Sequence, residues 1–65
     1  MIILGIDPAI SHIGWGITTS IGSEIKYIAS GVIDTNANDE LPKRLAFISY
    51  KIEAIIDDFK PDIIA

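Results

Sequence analysis

The chain of 65 residues contains no cysteine, which excludes disulfide staples and thiolate zinc sites as its means of holding together. A single histidine is too little for an imidazole metal cluster. The longest apolar run, Met1 to Ile6, falls far short of the ~20 residues a membrane span needs, and no basic segment precedes it as a secretory leader would require. The sequence therefore reads as cytoplasmic, with no membrane partner. Positive charge is scarce too. Five basic residues against nine acidic ones leave a net charge of −4, the wrong sign for a nucleic-acid footprint, so any nucleic-acid role has to rest on a motif. No internal repeat, linker or low-complexity segment interrupts the chain.

What remains is core-forming material. A hydrophobic fraction of 49% with 22% charged residues belongs to a globular chain rather than a disordered one. At this length, without disulfides or zinc, a stable core calls for a partner or for more chain. Residues 2–7 form an aliphatic stretch ending in Asp7-Pro8, the pattern of a central strand buried on both faces. A second strand is expected over 13–19, where Ile13, Trp15, Ile17 and Thr19 share one face, and Gly14 and Gly16 leave the other open to close approach. Ser20-Ile21-Gly22-Ser23 supplies a turn into a third, antiparallel edge strand over 24–33, with Ile25, Tyr27, Ala29, Gly31 and Ile33 on one side. Asp34 to Glu40 reads as loop.

Leu41, Leu45, Ile48, Ile52, Ile55 and Phe59 recur at alternating spacings of four and three, which predicts an amphipathic helix over about 40–60. Asn38 or Asp39 can cap it, Pro42 fits its first turn, and Pro61 stops it. Residues 62–65 look like the start of a fourth strand that closes a parallel crossover. The expected class is α/β, in the order β-β-β-α plus the beginning of a fourth strand, an incomplete domain.

Chemistry concentrates at Asp7, a carboxylate at the carboxyl end of an inner strand, where open α/β sheets place their ligands. Its competing role is that of a turn residue bonded to nearby amides, a reading of about equal weight. Asp34, Asp39, Glu40, Glu53, Asp57 and Asp58 read as solvated charges. His12 reads as structural and Trp15 as core. Gly14-Trp15-Gly16 lies inside a strand and so is no dinucleotide fingerprint. Ser11, Thr18 and Ser20 have no base near them in sequence, and Lys43, Arg44, Lys51 and Lys60 dot the helix at ordinary density.

Four landmarks taken together, Ile2-Ile3-Leu4-Gly5-Ile6-Asp7-Pro8, Gly14-Trp15-Gly16-Ile17, Leu41-Pro42-Lys43-Arg44-Leu45 and Pro61-Asp62 before an aliphatic strand, closely resemble the amino-terminal part of the RuvC family of bacterial Holliday-junction resolvases. The resemblance covers essentially all 65 residues. It implies a ribonuclease H-like fold in which Asp7 is the first of four acidic residues that bind Mg²⁺, so that Asp7 is both the catalytic and the metal residue. It also implies a homodimer acting on four-way junction DNA, alongside branch-migration proteins. The departures are Ala9 for glycine, Ser11 for a basic residue and Ile13 for threonine. By alignment the second family carboxylate falls one or two positions past Ala65, so the isolated chain is expected to be inactive. Two other readings compete: a non-catalytic remnant or interaction module from a truncated or split gene, and an actin-like or sugar-kinase phosphate loop, which usually carries a glycine and hydroxyl residues where this chain has Pro8-Ala9-Ile10.

Overall fold

The computed structural model of the chain describes residues 1–8 and 12–65. Strands β1 (Ile2–Asp7), β2 (His12–Ile21) and β3 (Glu24–Asp34) are followed by helix α1 (Leu41–Phe59) and a short strand β4 (Ile63–Ile64). They form one four-stranded sheet in the order β3-β2-β1-β4, with β1–β2 and β2–β3 antiparallel and β1–β4 parallel. Among the described residues no helix is long and apolar enough to cross a membrane.

The sheet is pinned to the helix by side-chain parity. Leu4 is opposite Ile17, both are fully buried, and with Ile13, Ile33 and Ile55 they make the core. Ile2, Ile6 and Trp15 pack beside them from the sheet, and Ile48, Ile52, Ile56 and Phe59 from the helix. The Trp15 and Phe59 rings meet at a tilt, with centroids 6.2 Å apart. The alternate residues Ile3, Gly5 and Asp7 project to the opposite face, over which the described residues lay no second layer. The two-sided burial expected of β1 is therefore only one-sided here. Of the anticipated helix stripe, Leu41 and Leu45 stay about half exposed, so the packed part begins at Ile48.

β3 departs from simple alternation. The register runs from His12 with Asp34 to Ile17 with Ala29, then steps to Thr18 with Tyr27, leaving Ile28 without a partner. This bulge shifts parity by one residue, so Tyr27 and Ile25 lie on the face opposite Ala29, Gly31 and Ile33 instead of sharing theirs. Both are strongly exposed, and the Tyr27 hydroxyl lies 3.2 Å from Ser30 Oγ on that outer face. The turn that opens the hairpin is Gly22-Ser23, with Gly22 at φ 60°, the positive value a two-residue hairpin turn demands at its first central position.

Neither Asn38 nor Asp39 caps the helix. The N-cap is Glu40, which makes no side-chain capping bond; Asp39 instead faces Lys43, Oδ1 to Nζ 3.6 Å, and Pro42 has removed one of the amides a cap would serve. Asn36 Oδ1 accepts from the Asn38 amide at 3.0 Å, closing an Asx turn in the preceding loop. At the other end Lys60 adopts the left-handed conformation, φ 49°, and its amide donates to Ile56 O at 2.7 Å before Pro61 ends the helix.

Asp62 then fastens β4 to β1. Its Oδ2 accepts from the Ile2 amide at 2.8 Å, and its own amide donates to Ile2 O at 2.7 Å. The ladder continues with Ala65 N–H to Leu4 O at 2.9 Å and Ile6 N–H to Ala65 O at 3.1 Å. Replacing Asp62 with Ala is expected to cost about 1–2 kcal/mol of stability in a denaturant titration, and Asp62→Asn, which keeps an acceptor oxygen, less than about half of that.

Candidate functional site

The face of the sheet away from the helix is built from small residues. Gly5 of β1 is opposite Gly16 of β2, Asp7 is opposite Gly14, and Ser30 of β3 continues the row beyond Gly16. These residues line a shallow, open depression of ≈ 590 Å³ with Asp7 at its rim. Glycine at these points reflects no crowding within the chain. A Cβ added at Gly16 would meet nothing within 4 Å, and one at Gly14 would meet only the Asp7 Cβ at 3.8 Å, an ordinary contact. Gly31 is different, since a Cβ there would lie 2.9 Å from the Trp15 indole that covers it on the helix side. One glycine makes room for the core, and the others keep the outer face flat enough for an extended backbone or another chain to approach closely.

Asp7 is the last residue of β1. Parity directs it to the glycine face because Leu4, three positions earlier, points into the core. Its side chain is exposed and makes no hydrogen bond or ion pair with another described residue. No described residue occupies either carboxylate oxygen, and a hard cation prefers such ligands; the competing turn role, a bond to the amides of residues 9–11, falls outside the described residues. Ala9, Ile10 and Ser11, and with them the departures noted at Ala9 and Ser11, lie outside the described residues. The third departure, Ile13, is a buried core residue.

The remaining acids do not join Asp7. Glu53, Asp57 and Asp58 ride on the helix beneath the other face, and Asp39 is engaged with Lys43. Among the described residues no three side chains of the metal-ligating types come together. Asp34, expected in the loop, is the final residue of β3, where its Oδ1 lies 2.5 Å from His12 Nδ1. His12 and Asp34 face each other across β2 and β3, one alternate position beyond the Gly14–Asp7 pair. Nothing in the sequence advertised this contact, because it depends on a cross-strand register that the bulge at Ile28 resets.

Comparison with known proteins bears on this arrangement. The family model for crossover junction endodeoxyribonuclease RuvC matches residues 3–65. Curated relatives named crossover junction endodeoxyribonuclease RuvC include those of Rickettsia felis and Rickettsia conorii, each 45% identical over 65 residues. The match takes in 100% of this chain and 42% and 41% of theirs. Among solved structures, Thermus thermophilus RuvC in complex with Holliday junction substrate superposes with a TM-score of 0.90 at 25% identity, covering 98% of this chain and 41% of that one. A second Thermus thermophilus RuvC structure gives 0.88 at 24% identity, covering 98% and 40%. The chain thus spans about two fifths of the length of the relatives it matches, and its fold is the ribonuclease H-like arrangement that the motifs implied.

The two kinds of glycine are separable by experiment. Gly31→Ala is expected to lower stability by about 1–3 kcal/mol and to shift the emission of Trp15, the sole tryptophan. Gly16→Ala is expected to leave stability unchanged or raise it by about 0.5–1 kcal/mol. A denaturant titration followed by tryptophan fluorescence reads both.

Proposed function

Because the chain belongs to the RuvC family of crossover junction endodeoxyribonucleases, we propose that it is the amino-terminal part of a Mg²⁺-dependent nuclease that resolves four-way DNA junctions, with Asp7 as its first metal ligand. The observation that carries this reading is a carboxylate with no side-chain partner among the described residues, at the end of an inner strand and on a face floored by Gly5, Gly14 and Gly16.

The residues present suit a hard divalent cation in part. Asp7 offers two oxygen donors, and a magnesium site at a phosphodiester needs one or two carboxylates with substrate oxygens and water. When bound, the metal ions would supply charge neutralisation at the scissile phosphate and a more acidic attacking water. The chain itself holds one carboxylate at fixed height above a flat floor, low enough for a sugar-phosphate backbone to lie across it. Register supports the rest of the constellation. β1 and β4 pair Ile3 with Ile63 and Leu4 with Ile64, so a continuation of β4 in this register brings the second position after Ala65 level with Asp7 and onto the same face. The second family carboxylate, expected one or two positions past Ala65, is best served by that location. Dimerisation, partnership with branch-migration proteins and a cytoplasmic setting belong to the same proposal.

The 65-residue chain is expected not to cut a synthetic four-way junction in Mg²⁺. Joined in frame to the remaining portion of the Rickettsia felis relative, it is expected to cut. Asp7→Asn in that fusion should lower cleavage by about two orders of magnitude or more while the thermal unfolding curve stays in place. Cleavage by the 65-mer alone, or an Asp7→Asn fusion of undiminished activity, would overturn the assignment.

A further inference from the structure

We propose that His12, oriented by Asp34, contacts a phosphodiester group of the nucleic-acid backbone next to the one held at Asp7, an assignment that rests on the nuclease reading above. His12 opens β2 and Asp34 closes β3; they are register partners, and their side chains meet through Nδ1 and Oδ1 at 2.5 Å. An ionised carboxylate can only accept, so Nδ1 carries the hydrogen. The ring is then turned with Nε2 away from Asp34, and the side chain is 75% exposed. Asp34 acts here as a positioning residue, and Nε2 is the contact atom.

The location matches the chemistry. Gly14 is opposite Asp7, and His12 lies two residues farther along the same strand on the same face, about 7 Å away at the rise of an antiparallel strand. That separation is comparable with one nucleotide step along a sugar-phosphate chain. The depression that Asp7 and Gly14 line is open and shallow rather than an enclosed pocket, which suits an extended polyanion and not a small molecule; it runs from Asp7 toward Gly5, Gly16 and Ser30, and His12 stands beyond its lining. Lys43 and Arg44 line one depression with Asp34, and Lys51 another, at the helix edge of this end; on the glycine face itself, His12 is the one described side chain near Asp7 that can carry positive charge. Lys26 pairs with Thr19 on the helix side of the sheet, and Lys43, Arg44 and Lys51 belong to the helix. A protonated ring would donate from Nε2 to a non-bridging phosphate oxygen while Nδ1 donates to Asp34, so the two hydrogen bonds hold the imidazole in one orientation.

The chain has one histidine, so its ring nitrogens give an unambiguous signal in a long-range ¹H–¹⁵N spectrum of the labelled 65-mer. Addition of a dinucleoside monophosphate is expected to move Nε2 more than Nδ1, beyond the effect of sodium chloride at equal ionic strength. Asp34→Ala should weaken that response about threefold or more, and Asp34→Asn, which keeps an acceptor oxygen, should restore most of it. Asp34 is exposed, so the Trp15 resonances should be unchanged in both variants and report an intact core. An Nε2 signal that the phosphodiester leaves unmoved, or a response indifferent to Asp34→Ala, overturns the assignment. In a separate arm, Mn²⁺ is added to the same sample. Selective broadening around Asp7 with no Nε2 response would defeat the His12 assignment and leave the nuclease reading standing, whereas no broadening at Asp7 would defeat the nuclease reading on which the inference rests.

Discussion

The arrangement depends on the burial of Leu4. A strand alternates its side chains with period two, so once Leu4 is sealed against Ile17 and Ile55 the outward set of β1 is Ile3, Gly5 and Asp7. Full burial of a leucine is worth roughly 1.5–3 kcal/mol, and a one-residue slip would exchange that for a solvated leucine and a carboxylate in the core. The hydrophobic effect thus holds Asp7 on the far face without a hydrogen bond from its side chain to any described residue. A carboxylate positioned through its backbone keeps both oxygens available, which a metal ligand requires and a turn-stabilising aspartate would lose.

Around that point the chain spends small residues where contact from outside is wanted and bulk where packing is wanted. Ile13, Trp15 and Ile17 fill the helix side of β2, while Gly14 and Gly16 bare its other side. The bulge at Ile28 changes what β3 presents, carrying Ile25 and Tyr27 to the outer face beside Ser30. Asp62 sets the height of β4 against β1 with two hydrogen bonds to Ile2. Each device is a matter of register, and together they determine which side chains converge on the open face near Asp7.

The sequence made the first level of this legible. The unbroken aliphatic run before Asp7, the Gly-Trp-Gly alternation and the four-three spacing from Leu41 to Phe59 are strong periodic signals, and the four motifs implied the ribonuclease H-like class. Features set by one-residue offsets were not legible. Propensity does not reveal that Ile28 lacks a partner, so simple alternation puts Tyr27 and Ile25 on the wrong face. The Asp39 carboxylate has two local uses, capping or pairing with Lys43, and the outcome turns on the backbone entering Pro42. His12 and Asp34 are 22 positions apart and meet only because the hairpin turn and the bulge together bring them level. Exposure of Leu41 and Leu45 likewise depends on where the sheet ends beneath the helix, which the helical repeat does not encode.

Delivery of Asp7 to the glycine face by strand parity, as a metal-binding carboxylate, is open to direct observation in Mn²⁺-soaked crystals through the anomalous signal of the ion. A peak is expected about 2.1 Å from a carboxylate oxygen of Asp7, above the floor formed by Gly5, Gly14 and Gly16. A peak confined to Asp39 and Glu40 or to Asp57 and Asp58, with none in coordinating distance of Asp7, would contradict it.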